Sequence, residues 1–306
     1  MSNDGFDFRK KLNLAALNID EESFKLGMDL EGKARTFLTE KFIDKGNEVK
    51  FGKKFIQAIS GNGQELLKMD SINSSSLCSL LFFYNVGEEE GHQLTINGIT
   101  YTESFFEYKN KVYSGRAPSN MDVVLTNKDD DILFIECKFS EYLKHDKPEI
   151  SETYFTNDKS SKVMEALLEN HILIKDNDKK YAAKHKKGGD DIYATGIKQI
   201  VSHYVGINHF IEKEYVSNQG VERNKLQKLK NPKVRFIEVL FDLGEEKELP
   251  NYREAVNTLI HIIEVADEKK KKKAKFLPST TYQDLLAANP SYKLDQKVSE
   301  FYRYRR

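Results

Sequence analysis

Residues 116–142 read RAPSNMDVVLTNKDDDILFIECKFSEY, and two apolar runs within them carry an aspartate, a glutamate and a lysine. Asp122 stands at the head of the first run, MDVVL, while Glu136 and Lys138 lie near the end of the second, ILFIEC, with the turn-like TNKDDD between. Side chains alternate faces along a strand, so Ile132, Phe134, Glu136 and Lys138 share one side and Leu133, Ile135, Cys137 and Phe139 the other. If the runs pair as adjacent antiparallel strands, Asp122 comes alongside Glu136, and two carboxylates converge with an ammonium beside them.

Two carboxylates at short range repel, whereas a divalent cation between them keeps both ionised. Hard oxygen ligands with room for water and phosphate suit Mg²⁺ or Mn²⁺ better than zinc. Phosphodiester hydrolysis follows as chemistry, with Lys138 orienting the nucleophile or stabilising the pentavalent state. The plain alternative is a structural ion pair. Against it stands the context, because charges rarely end buried apolar strands without a reason.

At these residues the chain resembles the PD-(D/E)xK nuclease superfamily, whose signature is an acid on one core strand and (D/E)-x-K on the next. Here the motif reads Pro118-Ser-Asn-Met-Asp122 and then Glu136-Cys137-Lys138, the proline standing four residues before the aspartate instead of next to it. The resemblance implies an α/β restriction-endonuclease-like core, a mixed central sheet flanked by helices. It also implies Asp122 and Glu136 as metal ligands, Cys137 through its backbone carbonyl, and Lys138 as the catalytic lysine. A further acid is common in the superfamily; Glu107, in FFEYK, is the candidate and Glu103 the weaker one.

The remaining pattern fits that core. Residues 21–45 have helical spacing around Leu26, Leu30, Ala34, Phe37, Leu38 and Phe42. SLCSLLFFYNV (76–86) predicts a short helix apolar on nearly all sides, and Asn97-Gly98 a hairpin turn within strands spanning 93–113. Helices are expected over 160–170, 196–213, 252–273 and 294–303, that over 252–273 with Ala255, Leu259, Ile262, Ile263 and Val265 on its buried side, and a fourth core strand over 233–244. Gly196–Lys213 sets Gln199 and His203 one turn apart. Several branches of the superfamily carry Gln-x-x-x-Tyr on this helix. In this chain His203 occupies the tyrosine's place and Tyr204 follows it, so the resemblance implies Gln199 as an accessory residue and leaves His203 as a hydrogen-bonded helix residue. One domain is expected over 1–306, with a helical N-terminal elaboration to about 70, a core over 74–244 and a helical C-terminal elaboration from about 250.

The 306 residues hold 48 basic and 48 acidic side chains, so any nucleic-acid binding must come from local clusters. Two are candidates: KKYAAKHKKGG (179–189), as a loop between helices, and KKKKKAK (269–275), closing a helix. Each reads equally as a solvated surface. No apolar stretch reaches membrane-spanning length, MSNDGFDFRK lacks a signal-peptide layout, and Cys78 and Cys137 in apolar surroundings fit a reducing compartment. The expected protein is a cytoplasmic, Mg²⁺-dependent DNA endonuclease of restriction or defence type, with a homodimer expected by analogy. A catalytically silent nucleic-acid-binding module and a nuclease acting on RNA are the alternatives.

Overall fold

Asn97 at φ 49° and Gly98 at φ 76° turn strand β1 (Leu94–Ile96) back onto β2 (Ile99–Tyr101). Both central residues in the left-handed region make the turn that matches strand twist, as the Asn-Gly pair predicts. The computed structural model describes residues 54, 57–58, 75–88, 92–113, 117–143, 149–156, 160–177, 180–183, 185–187, 190–192, 195–216, 219–244, 246–270 and 273–294. The helices expected over 21–45 and, but for its first residue, over 294–303 lie outside these.

Strands β3 (Glu103–Asn110), β4 (Ser119–Thr126) and β5 (Asp131–Lys138) form an antiparallel meander. The β4–β5 turn is closed by Asn127, whose Oδ1 accepts the N–H groups of Asp129 at 3.0 Å and Asp131 at 3.1 Å, an Asx-type turn. Three short strands, β6 (Glu149–Ser151), β7 (Leu173–Asn177) and β8 (Lys180–Ala183), make a separate sheet, and β9 (His185–Lys187) pairs with β10 (Asp190–Ile192). Within the basic segment at 179–189, residues 180–183 and 185–187 are therefore strand and not the expected interhelical loop. β11 (Lys233–Leu240) returns to the main sheet parallel to β5, and β12 (Lys275–Phe276) and β13 (Thr280–Thr281) add to its other edge.

Every residue of β5 is buried, because helices cover both faces. Helix α1 (Ser75–Phe83) packs on β4 and β5, its Cys78 on the Cys137 side. Ser104 Oγ donates to the Phe83 carbonyl at 3.0 Å and ties α1 to β3. Helix α2 (Ser161–Glu169) precedes the long helix α3 (Thr195–Ile211), which covers the opposite face of the sheet. There the Phe210 ring packs edge-on against Phe134 and Tyr108, with centroids 5.3 and 5.8 Å away. Ile197, Ile200, Val201, Val205 and Ile207, the expected apolar side of α3, are all buried. The architecture is mixed α/β, a central mixed sheet between helices.

Helix α4 (Glu248–Ala266) starts earlier and ends earlier than its spacing suggests, and α5 (Tyr282–Ala288) follows. Asp267 closes α4, its N–H donating to the Ile263 carbonyl, and the chain then turns through Lys270 N–H to the Asp267 carbonyl at 2.9 Å. The lysine run therefore lies past the helix and not in its last turn, and Lys275 already belongs to β12. Val265 is exposed, contrary to expectation. At 3.6 residues per turn it lies about 120° from the centre of the stripe formed by Tyr252, Ala255, Leu259 and Ile263.

Candidate active site

β5 and β11 share the tripeptide Phe-Ile-Glu, and their parallel register sets Phe134 beside Phe236, Ile135 beside Ile237 and Glu136 beside Glu238. On the other side of β5, the β4 ladder runs only as far as Val123 opposite Ile135. Asp122 is one step past that pair and level with Glu136. Between β3 and β4, the pairs Phe106–Val123 and Tyr108–Met121 bracket Glu107 opposite Asp122. Glu107, Asp122, Glu136 and Glu238 thus form one row of acids across four strands.

The opened ladder gives Asp122 its role in the fold. The Cys137 N–H, which has no β4 carbonyl to meet, donates to Asp122 Oδ2 at 2.7 Å. A strand residue's carbonyl leaves on the same edge as its N–H, so the Cys137 carbonyl faces the Asp122 side too. Burial and the nearby Asp122 raise the Cys137 thiol well above its ordinary range, which keeps it protonated.

Glu136 is buried and fully engaged. Its Oε1 accepts from Lys138 Nζ and from Gln199 Nε2 at 2.9 Å, and its Oε2 pairs with His203 Nε2 at 2.7 Å. A carboxylate can only accept, so the proton of that last bond sits on Nε2. His203 Nδ1 in turn meets Ser119 Oγ at 2.5 Å. His203 is hydrogen-bonded, as its position suggests, yet its partner is the central acid. Gln199 and His203, one turn apart on α3, both reach Glu136, and Gln199 itself is exposed, marking the solvent side of the cluster.

The charges shift in opposite directions along the row. Burial alone would raise the Glu136 carboxyl, but Lys138 and His203 outweigh it and hold it at about 2. Asp122 is raised well above the carboxylate range, first by burial and then by Glu136 and Glu107. For Lys138, burial works against the charged form, yet Glu136, Glu141, Asp122 and Glu238 together hold it above its ordinary value. Glu238 is pushed up to about 7, by burial against the pull of Lys138 and the Tyr252 hydroxyl.

Glu107 has its place in the row, at φ 50°. Arg223 Nη1 donates to its carbonyl at 2.7 Å, and Asn120 Nδ2 reaches its Oε2 at 3.5 Å. Glu103 is exposed and faces Thr126 at the far end of the ladder, outside the cluster. Sequence reasoning missed Glu238, Tyr252 and Ser119. Glu238 carried a readable signal, since KVRFIEVL repeats the lone acid in an apolar run that singled out Glu136. Ser119 and Tyr252 carried none.

Glu238 Oε1 accepts from Tyr252 of α4 at 2.9 Å, while its Oε2 is buried with no partner among the described residues. The first turn of α3 fits over this pair only because residue 196 is glycine: a Cβ there would lie 1.7 Å from the Tyr252 oxygen and 3.1 Å from Glu238 Oε1. Gly196→Ala is therefore expected to cost roughly 1–3 kcal/mol through overpacking, read as a lower urea midpoint.

Metal-free stability should also depend on pH through Glu238. Its folded value of about 7 lies above the ordinary carboxylate range. Across the interval between the two, the folded state keeps a proton that the unfolded state has lost, and stability falls as pH rises. The full loss is on the order of 3 kcal/mol, and Asp122 acts in the same direction. Glu136, held low, contributes stability that is lost only below the ordinary range. Urea melts in EDTA at pH 5 and 7.5 should show the decline, and Glu238→Gln should flatten it; a slope that the variant leaves unchanged would put the cause elsewhere.

The donor set suits a hard divalent cation. Asp122 Oδ1 has no hydrogen-bond partner among the described residues, and a cation would relieve the repulsion among Glu107, Asp122 and Glu136. Among the described residues no three His, Cys, Asp or Glu side chains group closely enough to hold an ion by themselves. Two carboxylates with a backbone carbonyl and waters is the ligand pattern Mg²⁺ favours over a closed cage. The described residues also contain no helix long and apolar enough to cross a membrane. No family model, no curated protein and no solved structure matches the chain.

Proposed function

We propose that this protein is a cytoplasmic metal-dependent nuclease of restriction or defence type, hydrolysing phosphodiester bonds in DNA on a restriction-endonuclease-like core. The observation that carries the reading is the convergence of Asp122, Glu136 and Lys138 where the β4–β5 ladder opens. The element order gives further support: α1, the meander β3–β4–β5, α3, then β11 parallel to β5. The resemblance to the PD-(D/E)xK superfamily implies a core in the order helix, three-stranded meander, helix, strand, which these elements follow.

Asp122 and Glu136, with the Cys137 carbonyl, would hold Mg²⁺ or Mn²⁺. When bound, such an ion supplies positive charge to the phosphoryl oxygens and acidifies water. Lys138 keeps its proton among four carboxylates, so it works as a fixed ammonium, not as a base. Its charge orients the attacking water and stabilises the pentavalent transition state. Gln199 and His203 fix the Glu136 carboxylate from α3, and Ser119 fixes His203. Homodimerisation would let two such sites cut both strands.

One observation favours a second reading, a nucleic-acid-binding module without turnover. Both Glu136 oxygens are already hydrogen-bonded, so this carboxylate must give up a partner before it binds an ion. Incubation with supercoiled, linear duplex and single-stranded DNA and with RNA, in Mg²⁺, Mn²⁺ or EDTA, separates the readings. Metal-dependent cutting of DNA supports the first; binding without cutting of any substrate supports the second; cutting of RNA alone replaces the substrate.

A further inference from the structure

A half-enclosed cavity of about 330 Å³ lies between the C-terminal end of α3 and the start of β11. Phe210, Tyr215, Leu229, Pro232 and Val234 give it an apolar wall, and Lys213, Lys230, Lys270 and Lys273 stand around it. Among the described residues no carboxylate lines it. Lys270 is spoken for, bonded to Asp267 at 2.9 Å and to the Tyr204 hydroxyl at 2.7 Å. Lys213, Lys230 and Lys273 are exposed and form no ion pair among the described residues.

Lys213 also forms the end of α3. The Glu214 N–H donates to the His209 carbonyl at 2.8 Å and the Lys213 N–H to the Phe210 carbonyl at 3.0 Å. This bond pair ends a helix with one residue in the left-handed region, a place that favours glycine. Here it is a lysine, at φ 63°. The carbonyl end of a helix repels anions, but these two bonds occupy two of its carbonyls, and three lysine charges exceed its half charge.

We propose that this cavity binds a nucleoside phosphate, with the base against the apolar wall and the phosphates held by Lys213, Lys230 and Lys273. Its size falls at the small end of ligand pockets, and an apolar wall with few charged groups is their usual composition. Val234 and Glu238 are four residues apart on one face of β11, so the cavity lies roughly 13 Å from the acid row. The proposal does not rest on the nuclease reading.

Calorimetric titration of the full chain in EDTA tests it, with ATP, GTP and AMP, inorganic phosphate and a single-stranded oligonucleotide as probes. Saturable binding of at least one nucleotide is expected, about tenfold tighter than inorganic phosphate. Lys213→Gly should weaken that binding about tenfold while raising Tm by about 2 °C, since glycine suits the position. Lys230→Gln with Lys273→Gln should weaken it at least as much. The proposal is overturned if no nucleotide binds, if inorganic phosphate binds equally well, if these variants leave nucleotide affinity unchanged, or if only the oligonucleotide binds.

Discussion

Lys138→Met is expected to lower metal-dependent DNA cleavage by roughly 10²- to 10³-fold, the cost of losing one preorganised charge aimed at a transition state. Methionine keeps much of the aliphatic stem and removes only the ammonium. Glu136 retains Gln199 and His203, so its position survives the change. What it loses is the nearest of the cations that hold it ionised. Breaking a buried pair from one side costs roughly 3–5 kcal/mol, and the remaining partners should keep the loss toward the lower value. Single-turnover cleavage at saturating Mg²⁺, beside a urea melt, reads both effects. Cleavage within about threefold of wild type would remove Lys138 from the chemistry.

Asp122→Asn should act oppositely on stability and activity. The asparagine oxygen can still accept the Cys137 N–H, so the opened ladder keeps its closure. The substitution removes a charge that burial, Glu136 and Glu107 all disfavour. The metal-free protein should therefore gain on the order of 1 kcal/mol, while cleavage falls about 10³-fold or more and the Mg²⁺-induced rise in Tm disappears. Opposite signs separate this outcome from damage to the fold. A variant that is less stable in EDTA yet still stabilised by Mg²⁺ would show that Asp122 is structural.

The acids of β4 and β5 were legible in the sequence because their neighbours are local. A tight Asn127 turn joins the two strands, so alternation and antiparallel pairing suffice to bring Asp122 to Glu136. Glu107 was reachable by the same reasoning one strand further out. The contribution of α3 was half legible: spacing put Gln199 and His203 on one face, but nothing local says that this face meets Glu136. Glu238 and Tyr252 depend on the parallel register of β5 and β11 and on the docking of α4, which no short-range pattern encodes. The lysine run at 269–275 misled because helical periodicity does not reveal where Asp267 ends the helix.

The repeated Phe-Ile-Glu also orders events in time. Glu136 and Glu238 are roughly 100 residues apart in the chain, so their pairing is among the slow, non-local contacts of folding, whereas the β4–β5 hairpin closes locally. During folding the hairpin can carry Asp122, Glu136 and Lys138 in solvent with their charges hydrated. The electrostatic cost arrives late, when β11 slides alongside and α3 seals the face. The same closing step that completes the row of acids also removes its water, so the chain meets the repulsion among these carboxylates only as it finishes folding.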